Sequence, residues 1–258
     1  MGLFDSHSHL NDEKFDDDRD KIIKEIYESG VTNFVTAGYS VESSKKAIEL
    51  AQKYNFIYAT VGVSPNDIPQ IEDELWKQLE EVKYLVNKNK KIVAIGEIGL
   101  DYYWNTENKD IQKKAFIEQI KLANEVNLPI VIHTREAVMD TIQILKENEV
   151  KNRGIFHCCP QNRELIKEGL KLGFYISFAG PITFKNSKNA DEVINLVPND
   201  RILIETDSPY LSPEPVRGTR NTPANVKFVA QKIADVKGLT LKETERIIVE
   251  NTKRILKL

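Results

Sequence analysis

Short runs of apolar and β-branched residues recur along this chain at intervals that leave room for a helix between them. The candidate strands are 3–7 (LFDSH), 33–37 (NFVTA), 56–62 (FIYATVG), 92–97 (IVAIGE), 129–133 (PIVIH), 153–157 (RGIFH), 173–178 (GFYISF) and 201–206 (RILIET). Each is short and rich in β-branched or aromatic residues, the composition of a strand. Apolar residues fall at helical spacing over 17–29, 42–54, 71–88, 107–127, 136–149 and 160–171, and again in the tail over 222–236 and 240–256. In 107–127, Phe116, Ile117, Ile120 and Ala123 share one face, the stripe that a helix turns toward a core. No helix is read between the seventh and eighth strands.

Strands alternating with helices imply a parallel sheet, and eight strands close a (β/α)8 TIM barrel. An open doubly wound sheet would carry a glycine-rich turn after its first strand, and HSHLND is not one. The length of 258 residues suits one barrel, so 1–258 reads as a single domain. A hydrophobic fraction of 41% supports a substantial core. No apolar run reaches the length of a membrane span, and MGLFDSHSHL has no basic stretch leading into an apolar one. The expectation is a cytoplasmic protein with no membrane association.

Cysteine and charge sharpen this only slightly. The two cysteines, Cys158 and Cys159, are adjacent; a disulfide between neighbours is strained, which fits a reducing compartment and a packing role for both. A net charge of -3 provides no overall basic field to gather nucleic acid. A polynucleotide substrate would be held locally, by a few side chains and by metal ions. The acidic run 16–20 (DDDRD) reads as a solvated helix N-terminus.

The chemistry lies at the strand ends. All four histidines, His7, His9, His133 and His157, sit at or just beyond the end of a predicted strand, and two further runs end in Glu97 and Asp207. Strand alternation places Leu3, Asp5, His7 and His9 on one side of the first strand, and Leu203, Glu205 and Asp207 on one side of the eighth. The same rule pairs Ile95 with Glu97, Val131 with His133 and Ile155 with His157. A barrel gathers the C-terminal ends of its strands around one rim, so the six groups should converge. Histidine with carboxylate suits zinc, manganese or iron, with magnesium as a substitute, and six groups suffice for two divalent ions. Glu97 is the natural bridge: one ion would take His7, His9, Glu97 and Asp207, the other Glu97, His133 and His157. Glu97 and Asp207 are the candidate catalytic groups, Asp207 as both ligand and base.

Asp5 and Glu205 are read either as partners that orient ligating imidazoles or as members of a buried salt bridge. Arg135, Arg217 and Arg220 lie beyond strand ends, where they could bind phosphate or form surface ion pairs. Tyr102, Tyr103 and Trp104 could stack a base or simply pack. The loop 208–223 reads as a substrate-binding loop.

In this order, FDSHSHL, GVSPND, GEIGLDYYW, PIVIHTRE, HCCP and ETDSPYLSP followed by RGTRNTP resemble the TatD family of metal-dependent hydrolases, within the amidohydrolase-like barrels. The resemblance covers nearly the whole chain. It implies the same six ligands and draws attention to Asp101. It also implies a deoxyribonuclease acting at DNA 3′ ends; an ester or amide hydrolase, such as a D-aminoacyl-tRNA deacylase or a small-molecule amidohydrolase, is the alternative use of the same site. The sequence shows no coiled-coil or other assembly signal, so no protein partner is expected. A barrel holding a purely structural metal is the non-enzymatic reading. Two departures stand out: Ser64 and Asn66 occupy positions where the family commonly has histidines, and HCCPQN replaces a smaller polar turn.

Overall fold

The computed structural model describes residues 2–104 and 106–258. The chain runs β1 (Leu3–Ser8), α1 (Arg19–Glu28), β2 (Val31–Ala37), α2 (Val41–Lys53), β3 (Ile57–Val61), α3 (Glu72–Lys88), β4 (Ile92–Asp101) and α4 (Lys109–Glu125). It continues through β5 (Ile130–Arg135), α5 (Val138–Glu147), β6 (Gly154–Phe156), α6 (Arg163–Lys171), β7 (Tyr175–Phe178), α7 (Ala190–Leu196), β8 (Ile202–Ile204), α8 (Val226–Lys237) and α9 (Leu241–Leu256). The strands are parallel and hydrogen-bonded in chain order from β1 to β8. This is the (β/α)8 barrel that the alternation predicts. Among the described residues no helix is long and apolar enough to cross a membrane.

Two apolar clusters explain why the pattern folds this way. The larger lies between the strands and the surrounding helices and includes Phe34, Ile57, Ile130, Phe156 and Ile204. The smaller fills the barrel with side chains from successive strands, including Phe4, Val35, Val93, Val131, Ile155, Tyr175 and Leu203, joined by Val249, Ile255 and Leu256 of α9. Removing these side chains from water contributes roughly 1.5–3 kcal/mol each.

The ring closes between β1 and the segment after β8. The Asp207 N–H donates to the His7 carbonyl at 3.0 Å, and the His9 N–H donates to the Ser208 carbonyl at 2.7 Å. Buried Asp5 accepts from the His7 N–H, the Thr206 N–H and the Thr206 hydroxyl. Its carboxylate therefore ties the two strand ends together and does not orient an imidazole. Burial pushes the Asp5 carboxyl well above the usual range, with nearby Glu205 adding to the effect.

The structure corrects three sequence expectations. Helix α7 lies between β7 and β8, where none was read; at seven residues it is too short to establish a periodicity. β4 runs four residues past Glu97 to Asp101. The simple alternation also fails on β1 and β4, where Leu3 and Ile95 face the helices although Phe4 and Val93 fill the barrel. Both strands carry an irregularity just before their metal-type residues: three steps along β1, Asp5 to Ser8, match two along β2, and Ile95 to Ile98 matches two along β5. One extra residue reverses which face later side chains occupy.

Candidate metal centre

Seven side-chain donor atoms from five strand ends meet at the C-terminal rim. His7 Nε2 and His9 Nε2 are 3.2 Å apart. Glu97 Oε2 lies 3.4 and 3.6 Å from them, and Asp207 Oδ1 lies 3.7 and 3.2 Å from them. The other oxygen, Glu97 Oε1, is 2.9 Å from His133 Nδ1 and 3.3 Å from His157 Nε2, and these two nitrogens are 3.2 Å apart. Ligands bound at 2.0–2.2 Å in a tetrahedron lie about 3.4 Å from each other. Both groups of donors have that spacing.

The surroundings aim the lone pairs. His9 Nδ1 lies 3.0 Å from the Ala37 carbonyl, an acceptor only, so Nδ1 carries the hydrogen and Nε2 faces the other donors. His133 is turned the other way: its Nε2 is 2.9 Å from Asp101 Oδ2, leaving Nδ1 toward Glu97. His157 Nδ1 is 3.3 Å from Glu205 Oε1, an oxygen that also accepts the Cys158 N–H. Carboxylate–imidazole pairs of this kind commonly hold metal-binding histidines. His7 differs, because its buried Nδ1 has no partner among the described residues, although its ring stacks on His157 with centroids 4.0 Å apart.

Glu97 lies at the electrostatic centre. Burial opposes its ionisation, but the imidazoles of His157, His133 and His7 outweigh this and hold the carboxyl well below its ordinary value. Burial also works against charge on His9, yet Asp207, with Glu97 behind it, lifts its imidazole to about 9. Below that pH an incoming cation must displace the proton. Apparent metal affinity is therefore expected to rise with pH, by up to about ten-fold per unit for each proton displaced, and to flatten above pH 9. Calorimetry in buffers of different ionisation enthalpy would count the protons; an affinity independent of pH from 6 to 9 would contradict it.

Asp101 ends β4. Its Oδ1 accepts the N–H groups of Tyr103 and Trp104, and its Oδ2 faces His133 and Asn66. Burial notwithstanding, these partners, His133 foremost, bring its carboxyl down to about 2. Its position depends on close backbone packing at Gly99, where φ is +140° and a Cβ would lie 2.0 Å from the His133 carbonyl oxygen. Asp101→Asn is expected to weaken binding at the His133–His157 side about 10–100-fold, measured by metal titration. Unchanged affinity would remove Asp101 from the site.

The donors open into a cavity of about 730 Å³. Among the residues nominated from sequence, Arg135 and Trp104 join five of the donor residues, His9, Glu97, His133, His157 and Asp207, in lining it. Ser64 is buried and donates to Asp67, whereas Asn66 does reach the cavity. The Tyr102 hydroxyl donates to Asp140 at 2.7 Å, away from the rim. Arg217 lies over the Phe184 ring and near Glu214, and Arg220 is bound to Asp18 and the Lys14 carbonyl. Neither of these arginines lines the cavity. The acidic run is correspondingly engaged, Asp16 with Arg19 and Asp20 with Lys53 and Tyr54. Cys159 packs in the core, while both cysteines contribute to the cavity wall.

Other lining residues were not singled out one by one, although Tyr210 and Leu211 fall in the loop 208–223 that reads as substrate-binding. Ala179, Pro181 and Ile182 follow β7, and Tyr210 and Leu211 follow β8. Their position on the loops after barrel strands was the available hint. The Tyr210 hydroxyl donates to Asp12 and its ring lies under the Lys14 ammonium, which pins the 208–223 loop to the turn after β1.

A profile of the family described as TatD related DNase matches residues 4–257. The chain belongs to the TatD family of metal-dependent hydrolases. It is 44% identical over 257 residues to the uncharacterized metal-dependent hydrolase YabD of Bacillus subtilis, covering 99% of both chains. It is 36% identical to YcfH of Escherichia coli K12, also described as an uncharacterized metal-dependent hydrolase, over 99% of this chain and 96% of the relative. The crystal structure of YJJV, a TatD homologue from the same species, superposes with a TM-score of 0.93 at 24% identity, covering 99% of this chain and 98% of that one. That likeness establishes the barrel.

Proposed function

We propose that this chain is a two-metal phosphodiesterase that shortens DNA from its 3′ ends. The observation that carries the reading is Glu97, whose two oxygens address two separate groups of donors. His7, His9, Glu97 and Asp207 would hold one divalent ion; Glu97, His133 and His157 would hold the other. Bound there, such ions acidify water and neutralise charge on the oxygens of a phosphate. The chain's own groups do the rest. Asp207, less buried than its histidine neighbours and held ionised by His9, His7 and His157 against the effect of burial, accepts the proton of the attacking water. Asp101 and Glu205 hold the His133 and His157 rings so that Nδ1 of the first and Nε2 of the second face Glu97. Arg135, at the cavity edge, supplies positive charge where the DNA backbone enters. The family description supports the choice of DNA. We extend the reading to a cytoplasmic enzyme that acts without a protein partner or a membrane.

The test uses metal-stripped protein reloaded with Mn²⁺, Mg²⁺, Zn²⁺ or Fe²⁺ and offered single-stranded DNA labelled at its 5′ end, so that each 3′ removal leaves a shorter labelled product. The expected result is a ladder that shortens one nucleotide at a time and depends on the ion. Absence of cleavage with two ions bound per chain would overturn it and redirect the site toward aminoacyl esters.

A further inference from the structure

We propose that Trp104, braced by Arg135, is a subsite for the nucleobase adjoining the scissile phosphodiester. The proposal deepens the phosphodiesterase reading and rests on it. Three aromatic residues follow Asp101, and the structure separates them. Tyr102 is tied to Asp140. The face of Tyr103 is covered by the Arg135 guanidinium, 3.8 Å from the ring centroid. Trp104 is different: it is 68% exposed and lines the same cavity as the metal-type donors.

The indole is not free to wander. Its backbone N–H and that of Tyr103 are held by Asp101 Oδ1, while Asp101 Oδ2 holds His133. One carboxylate thus fixes the distance between the aromatic platform and the metal donors. The indole meets the Tyr103 ring edge to face at 4.9 Å, and the Arg135 guanidinium lies 5.4 Å from its centroid. Pro181, Ile182 and Leu211 supply apolar surface elsewhere in the cavity. A flat π-system attached to an anion uses every part of this arrangement: the base stacks on the indole, Arg135 faces the phosphate, and the reacting phosphorus falls toward Glu97 and Asp207.

The experiment uses metal-loaded protein carrying Trp76→Phe, which leaves Trp104 as the sole indole. Deoxyadenosine 5′-monophosphate is expected to quench its fluorescence saturably, while 2-deoxyribose 5-phosphate, which lacks the base, does not. In the natural background, Trp104→Ala is expected to raise KM for a single-stranded oligonucleotide about 5- to 100-fold, the range for loss of one stacked base. Trp104→Phe should recover most of that. An oligonucleotide with an abasic 3′ end should be cleaved equally by the natural protein and the alanine variant. An equal loss on both substrates, or no quenching by the nucleotide, overturns the proposal. Quenching without cleavage of any oligonucleotide would keep the subsite and sink the phosphodiesterase reading; cleavage indifferent to Trp104 would do the reverse.

Discussion

Glu97→Gln is expected to reduce the bound ions from two per chain to one or none and to lower hydrolysis by more than about a hundred-fold. The carboxylate faces two directions at once, Oε2 toward His7 and His9 and Oε1 toward His133 and His157. A glutamine of the same shape offers one oxygen and one N–H₂ group, which donates hydrogen bonds and cannot ligate. Whichever way the amide turns, one group of donors faces N–H hydrogens. Replacing a partner that merely orients a ligand already costs 10–100-fold in affinity or activity, so losing a bridging ligand should cost more. Metal analysis by mass spectrometry, together with initial rates, checks both halves. Two tightly held ions and undiminished turnover would show that Glu97 bridges nothing.

The second large effect is expected at Asp207. Asp207→Asn retains an oxygen near His9 but removes the proton acceptor, so kcat should fall about 10²- to 10⁴-fold with little change in KM. Asparagine is the right probe because residue 207 has a φ of +54°, a left-handed conformation that asparagine tolerates and alanine does not. The fold should therefore survive, as circular dichroism and thermal melting would verify. Full activity in the variant would assign the base elsewhere.

Much of the rim was legible because it depends on residue type and strand order. Four histidines and two carboxylates at the ends of five of the eight apolar runs are few enough to be read as one constellation, and the barrel brings them together. The reasoning that placed them on a common side was sound only for β5, β6 and β8. On β1 and β4 the metal-type residues face inward because an extra residue shifts the register, and a backbone bulge leaves no trace in an apolar–polar pattern. The arginines mark a second limit. Arg217 and Arg220 follow β8 just as Arg135 ends β5, yet Glu214 and Asp18 engage the first two, while the third rests on an aromatic ring at the cavity. Chain position reveals where a charge begins, not which partner it finds. Asp101 was visible only through family resemblance, since its two roles join residues that are neighbours in space on β4 and β5.

The join between β1 and the segment after β8 has a consequence for how the molecule comes into being. His7 and His9 leave the ribosome some two hundred residues ahead of Asp207 and Ser208, and the contacts between these segments hold the ring shut. The complete set of candidate metal donors is therefore a late product of maturation, absent from any nascent fragment that stops short of Asp207. Once formed, it would work as a clasp: an ion held by His7, His9, Glu97 and Asp207 would oppose parting of β1 from the segment after β8, by mass action on the closed form alone.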